Sequence, residues 1–437
     1  MSPATRRFVV SPGGRVAGEM RVPGDKSISH RAAMLGAIAD GTTEIHGFLD
    51  SADCEATVFA LSVMGVQVER LAPGHLLVHG RGLRGLRAPA GPLDLANSGT
   101  SMRLLTGILA GQAFDTTLVG DGSLMQRPME RIAAPLRRMG ADVRTSDGRA
   151  PISIRGGRLM TGCDHVLDVP SAQVKSALLF AGLYARGRTR VREPAVSRDH
   201  SERMLESFGV SVIREDGAVG LAGPAGLLGR RVRVPGDFSS AAYFLAAALV
   251  AGSGPFTVRG VGVNPTRTAL LDILRLMGAD IRVHAMGTAD AEPVADIEAR
   301  PGVLRGIVVP PSMVPAAIDE LPLLFAIAAL ARGETVVTNA AELRVKESDR
   351  IDAMAAGLAA LGISVEVQPD GMRLRGGAIR GGTVDSRGDH RVAMAFAVLA
   401  AKAESPVKID DVQNVDTSFP GFAQAARAAG LRLAEEA

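Results

Sequence analysis

Several short segments gather cations, carboxylates and hydroxyls at spacings suited to chemistry on anions. Val22-Pro-Gly-Asp-Lys-Ser-Ile-Ser-His-Arg31 looks like a phosphate loop. It does not fit GxxxxGK[ST], because Asp25 separates Gly24 from Lys26 and Gly18 is one residue out of register. Lys26 and Arg31 are about 500° apart round a helix, so both can reach forward from one end. Leu343-Arg-Val-Lys-Glu-Ser-Asp-Arg-Ile351 is the densest charge cluster. Lys346 and Arg350 stand at i and i+4 on one helix face, with Glu347 between them in sequence. A carboxyl beside two cations is an acid/base whose pKa the cations tune. The alternative is a solvated helix face. Ile318-Asp-Glu-Leu-Pro322 sets two carboxylates before an apolar run, where Asp319 could instead be a simple N-cap. Gly388-Asp-His-Arg391 places an Arg suited to bidentate carboxylate or phosphate recognition. Gln126-Arg-Pro-Met129 puts another Arg at a helix start.

Other chemistries lack their residues. No HExxH, CxxC or clustered-His pattern is present, and His30, His200 and His390 are scattered, so no metal site is expected. There is no GxSxG elbow, and neither Cys54 nor Cys163 has a convincing base near it in sequence. Two cysteines cannot build a disulfide framework.

The elements that position these residues repeat. Leu61–Val68, Leu136–Val143, Leu205–Val212, Leu274–Ile281, Leu358–Val365 and Ala426–Leu433 share one pattern: an apolar residue, three spacers, Gly, then a short strand. Each predicts a helix ended by a glycine cap and followed by a strand. A second helix type begins near Asp25, Asn97, Ser171, Asp237, Asp319 and Asp389. Its Ala/Leu-rich body has little polar face and should be buried. Six units of about 70 residues group as three plus three, which suggests two similar domains with a crossover near Asp237. The polar residues of the second helix type sit at its N-termini, where free N–H groups favour anions. Capping explains the Ser, Asp and Asn there, but not Lys26, Arg31, Arg103 and Arg391. A cation at that end opposes the helix dipole at about 0.3–1 kcal/mol, which makes sense if an anion occupies the site.

Composition narrows the class. The chain has 437 residues, 46% hydrophobic and 22% charged, which excludes wholesale disorder. Its 51 glycines fit many tight turns, and 13 Phe, 2 Tyr and no Trp require an aliphatic core. A net charge of +3 and few aromatics argue against nucleic-acid binding. The longest apolar runs, 241–251 and 321–331, fall short of the roughly 20 residues of a membrane span. No signal peptide is visible, so a reduced cytoplasm is the expectation. Arg81, Arg84 and Arg87 read as a solvated turn.

Together these motifs resemble the 5-enolpyruvylshikimate-3-phosphate synthase family. Gly24–Arg31, Asn97–Arg103, Gln126–Met129, Ser171–Lys175, Arg344–Arg350 and Asp389–Met394 carry the resemblance, in order, over nearly the whole chain. It implies an α/β fold of two similar domains, each of three βαβαββ units, an inside-out α/β barrel of the enolpyruvyl transferase type. The N-terminal domain would be 23–236, and the C-terminal domain 1–22 plus 237–437, with the active site in the interdomain cleft. The implied catalytic residues are Asp319, Glu347 and Lys26. Shikimate 3-phosphate would meet Lys26, Ser27, Arg31, Ser171, Ala172, Gln173, Ser197, Arg198, Asp319 and Lys346. Phosphoenolpyruvate would meet Lys26, Asn97, Gly99, Arg127, Gln173, Arg350 and Arg391. No cofactor is implied, the partners are these two small molecules, and a monomer is the default.

The chain departs from the family pattern at Ala172 (commonly Ser), Glu342 (often Asn), Thr417 (often Lys) and Leu104 (often Pro). These changes resemble the branch that includes glyphosate-tolerant members, yet Gly99 is kept. The resemblance implies that a methyl at Gly99 weakens glyphosate more than phosphoenolpyruvate. The sister transferase acting on UDP-N-acetylglucosamine usually carries a cysteine before Ala-Arg-Pro. Here Gly122-Ser-Leu-Met-Gln precedes Arg127, without one. A non-catalytic phosphometabolite-binding repeat protein and a DNA sliding clamp are the remaining alternatives; the clamp would need a strongly basic inner face.

Overall fold

A computed structural model describes residues 6–436. The chain divides into two compact units. One comprises Gly24–Pro235 with Thr288–Glu292; the other comprises the segment up to Pro23, Gly236–Gly287 and the chain from Pro293. They are called the central and the terminal unit below.

Among the described residues each unit holds three sheets, and all six share one plan. In the central unit, Asp164–Val166 pairs in parallel with Gly187–Arg192, which pairs antiparallel with Ala218–Gly223, which pairs with Val212–Glu215. In chain order this reads strand, buried helix, strand, capped helix, two strands: the βαβαββ unit. The same order recurs through Leu93–Asp94, Thr116–Val119, Arg149–Arg155 and Asp142–Ser146. In the remaining central sheet the leading strand comes from far along the chain: Arg231–Arg233 lies parallel to Thr42–His46, followed by His75–His79 and Gln67–Ala72.

The terminal unit borrows in the same way from the start of the chain. Val16–Arg21 leads the sheet of Gly252–Gly262, Glu292–Arg300 and Asp280–Ala289. Arg7–Ser11 sits between Val407–Asp410 and Arg432–Glu436 in another sheet, edged by Gly382–Asp385. The remaining sheet has three strands, and its leading strand shrinks to a parallel bridge, Val308 with Val336. None of the six sheets closes into a barrel; the helices, not the strands, fill the middle of each unit.

Those helices are Lys26–Ala37, Gly99–Leu109 and Ala172–Gly182 in the central unit, and Phe238–Ala251, Leu321–Ala328 and His390–Ala400 in the terminal unit. Nearly every residue in them is buried, as expected for sequences without a polar face. Small residues let them approach closely: a Cβ on Gly107 would sit 2.1 Å from the Ala177 carbonyl oxygen of the neighbouring helix. No single helix among the described residues is long and apolar enough to cross a membrane.

The six glycine caps form one repeated motif. Gly65, Gly140, Gly209, Gly278, Gly362 and Gly430 have φ between +87° and +104°. Each is followed by a residue whose N–H donates to the carbonyl five positions back: Val66 to Leu61, Ala141 to Leu136, Val210 to Leu205, Ala279 to Leu274, Ile363 to Leu358 and Leu431 to Ala426. The left-handed residue reverses the chain and satisfies a helix-end carbonyl. A strand then starts two residues after the glycine, or three after Gly209. The Arg81–Arg87 stretch is only partly solvated. Arg84 donates to the Gly111 carbonyl at 2.6 Å, and its guanidinium lies 5.4 Å from the Tyr184 ring centre.

Candidate active site

In the terminal unit, the expected acid/base residues and cations meet around Asp319. The Asp319 carboxylate is 3.8 Å from Lys346 Nζ, 3.7 Å from Arg350 Nη1 and 3.8 Å from Arg391 Nη2. Arg391 also donates to the Asp319 carbonyl at 2.9 Å. Asp319 is not a helix cap. Glu320 occupies the cap position of Leu321–Ala328 and makes no capping hydrogen bond there. It instead accepts from Ser239 and lies 3.5 Å from Arg391 Nη1.

Lys346 and Arg350 do not share a helix face. Lys346 ends the short 3-10 segment Ala341–Val345, whereas Arg350 is the first residue of the helix Arg350–Ala360. Asp349, the N-cap, breaks the run by accepting from the Asp352 N–H. The two cations reach Asp319 from different elements. Arg350 is 1% exposed and is clamped by Asp389 at 2.7 Å and Glu347 at 2.6 Å. Burial opposes its charge, but Asp389 and Glu347 outweigh that and hold it above the ordinary guanidinium range. Burial opposes the charge of Arg391 too, and Asp319 leads the groups that overcome it. For Lys346 burial wins: its ammonium is held below the usual lysine range, although Asp319 and Glu342 pull the other way. Glu342, one of the departures, thus acts on Lys346. Thr417, another, donates to the Asn414 carbonyl at 2.7 Å within its own turn.

The central unit carries the other group. Lys26 forms an ion pair with Asp53. Arg31 does not reach forward beside it; it turns into the unit. It donates to Ser201 at 2.7 Å, Ser176 at 2.8 Å and the Ser27 carbonyl at 2.9 Å. Burial pushes its pKa down to about 10, against the pull of Glu202. Arg127 donates to Asn97 at 2.7 Å, and Arg103 to Gln173 at 2.8 Å. Gln173 in turn donates to Thr100 at 3.0 Å. Gly99 opens the helix between these two arginines. A Cβ there would stand 2.8 Å from Arg103 Nη1 and 3.1 Å from Arg127 Nη1.

Ser171 and Ser197 share a support that sequence reading passed over. Glu193 accepts from the Ser171 N–H and the Ser197 hydroxyl, both at 2.8 Å. It also pairs with Lys175, 3% exposed, at 2.9 Å; Lys175 bonds Glu202 and the Ser197 carbonyl as well. Ala172 and Gln173 occupy the first turn of the helix that Ser171 caps. Arg198 lies close enough to lower the pKa of Arg31. Arg267 was also missed: it is 3% exposed and bonds Asp237 and Ser239 at the start of the helix Phe238–Ala251.

One cysteine does have an imidazole beside it. His165 Nε2 lies 3.4 Å from Cys163 Sγ. Burial pushes His165 down to about 4 and raises the Cys163 thiol, so the pair supplies no activated thiolate near neutral pH.

The fold is that of the enolpyruvyl transferases. The crystal structure of the enolpyruvyl transferase NikO from Streptomyces tendae matches with a TM-score of 0.79 over 99% of each chain, at 18% identity. The chain belongs to the EPSP synthase (3-phosphoshikimate 1-carboxyvinyltransferase) family, which it matches over residues 10–425. A 3-phosphoshikimate 1-carboxyvinyltransferase of Methylococcus capsulatus is 56% identical over 427 residues, 98% of each chain. One from Legionella pneumophila (strain Paris) is 51% identical over 98% of this chain and 99% of its own. The structure of EPSP synthase from Acinetobacter baumannii matches with a TM-score of 0.88 and 46% identity, over 99% of this chain and 100% of that one.

Proposed function

We propose how this chain performs its family's reaction. The reaction is transfer of the enolpyruvyl group of phosphoenolpyruvate to shikimate 3-phosphate, in aromatic biosynthesis, and the chain is an enzyme of that family. The 5-hydroxyl of shikimate 3-phosphate attacks C2 of phosphoenolpyruvate and loses its proton while C3 gains one. The tetrahedral adduct then loses a proton from C3 as the bond from C2 to the phosphate oxygen breaks, restoring the double bond and releasing phosphate.

Asp319 and Glu347 exchange these protons, with Lys26 assisting. The observation that carries this is the setting of Asp319, a carboxylate within 4 Å of three cations, Lys346, Arg350 and Arg391, of which Arg350 is positioned by Glu347 and Asp389 and Arg391 by Glu320. Lys26, Ser27, Arg31, Ser171, Ala172, Gln173, Ser197, Arg198, Asp319 and Lys346 hold shikimate 3-phosphate. Lys26, Asn97, Gly99, Arg127, Gln173, Arg350 and Arg391 hold phosphoenolpyruvate. Preset cations stabilise charge as it develops without reorganising. The reaction draws on residues of both units, uses no cofactor, and runs in the cytoplasm on a monomer.

The test is phosphate release from the purified protein. Release should need both substrates and fall at least a hundredfold in kcat in Asp319→Ala and in Glu347→Ala. Full activity in either variant would remove that residue from proton transfer. Release with UDP-N-acetylglucosamine as acceptor instead would assign the sister reaction.

A further inference from the structure

Away from the residues used above, one cluster joins two imidazoles to a carboxylate. Thr42–His46 runs antiparallel to His75–His79, and the register sets His46 directly opposite His75. Glu44 lies two residues from His46, so it shares that face of the sheet. One ligand atom from each of Glu44, His46 and His75 lies within 4.8 Å of the other two. Glu44 Oε1 is 3.0 Å from His46 Nε2 and 3.1 Å from His75 Nε2. Donors about 2.0–2.1 Å from a tetrahedral ion stand about 3.3 Å apart. Small side-chain movements would therefore bring all three atoms to coordination spacing.

A second observation concerns the carboxylate's other oxygen. Glu44 Oε2 accepts from Arg231 Nε at 2.9 Å, across from the parallel strand Arg231–Arg233. This leaves Oε1 facing the imidazoles, the outer support that orients a ligating carboxylate.

We propose that Glu44, His46 and His75 form a binding site for a borderline divalent transition metal of the zinc type, with water completing its coordination. Two imidazoles and one carboxylate suit such an ion, whereas magnesium and calcium prefer oxygen ligands throughout. All three side chains are partly exposed, so an ion can enter from solvent. The site has no part in the reaction proposed above. It would clamp two neighbouring strands of one sheet, Thr42–His46 and His75–His79. The sequence gives little hint of it, because Glu44-x-His46 is a short pair and His75 joins it only through strand register.

The test uses the full chain without an affinity tag, stripped with chelator and titrated with zinc against a chromophoric competitor. One zinc per chain should bind with a micromolar or tighter dissociation constant. His75→Ala and Glu44→Gln should each weaken it at least tenfold. A hundredfold excess of magnesium should not displace it. Metal-free His75→Ala should keep the wild-type transferase rate, which shows that the variant is folded. X-ray absorption of the zinc-loaded wild type should show imidazole nitrogens near 2.0 Å and no sulfur. No binding at millimolar zinc, wild-type affinity in both variants, or sulfur ligation at Cys163 would each overturn the proposal.

Discussion

Asp319 and Gly99 show how a single position acts through the cations around it. As a helix cap, Asp319 would have spent its carboxylate on a backbone N–H; instead it faces Lys346, Arg350 and Arg391. Gly99 matters through what a methyl would meet, the side-chain ends of Arg103 and Arg127 rather than backbone. Those ends can shift, so Gly99→Ala should leave the melting temperature nearly unchanged. It should raise the KM for phosphoenolpyruvate severalfold and the inhibition constant of glyphosate by a larger factor. Equal losses for both ligands would show that the methyl does not discriminate by ligand size. At this scale the charged motifs were legible, because a Lys, Arg or carboxylate at a buried helix start is out of place there. Their supports were not. Asp53, Glu193 and Arg267 meet Lys26, Ser171 and Asp237 from 22 or more residues away in sequence, and no local spacing marks such a pair. The opposite error arose at Lys346 and Arg350, where an i, i+4 count assumed a helix that Asp349 interrupts.

The repeated helix ends were legible because the requirement is local: a reversed chain needs a left-handed residue, and glycine takes that conformation at low cost. All six expected glycines are in it. They are not equally replaceable. A Cβ on Gly209 meets nothing within 4 Å, so Gly209→Ala bears only backbone strain, about 1–2 kcal/mol. A Cβ on Gly430 would lie 2.1 Å from the Arg15 carbonyl oxygen, and backbone must move to admit it. Gly430→Ala should therefore lower unfolding stability by at least twice as much as Gly209→Ala, read from urea midpoints at unchanged slope. Equal midpoints would mean that the strand entry at Arg15 yields freely. The buried helices were legible from composition alone, but their exact starts were not. The helix after Asp319 begins at Leu321, since Pro322 suits a first turn and Glu320 takes the cap.

In the whole molecule the exchange of strands decides what can fold alone. Periodicity counts six units, but it cannot say that Arg7–Ser11 pairs with strands some 400 residues away, nor that Arg231–Arg233 leads the sheet of Thr42–His46. Pairing of that range leaves no local trace in sequence. Its consequence differs for the two units. The segment 24–235 contains every strand of its three sheets, including the late one, Arg231–Arg233. The segment 236–437 does not. It lacks Val16–Arg21, and it lacks Arg7–Ser11, the strand that joins Val407–Asp410 to Arg432–Glu436. Expressed alone, 24–235 should unfold cooperatively in urea. The 236–437 fragment should show no cooperative transition and should bind a hydrophobic dye, because removing an interior strand exposes Phe8's neighbours in the core and leaves two strand edges unpaired. Supplying residues 1–23 as a separate peptide should restore a transition in that fragment. A cooperative transition in 236–437 without the peptide would show that Arg7–Ser11 and Val16–Arg21 only decorate a unit that is stable without them.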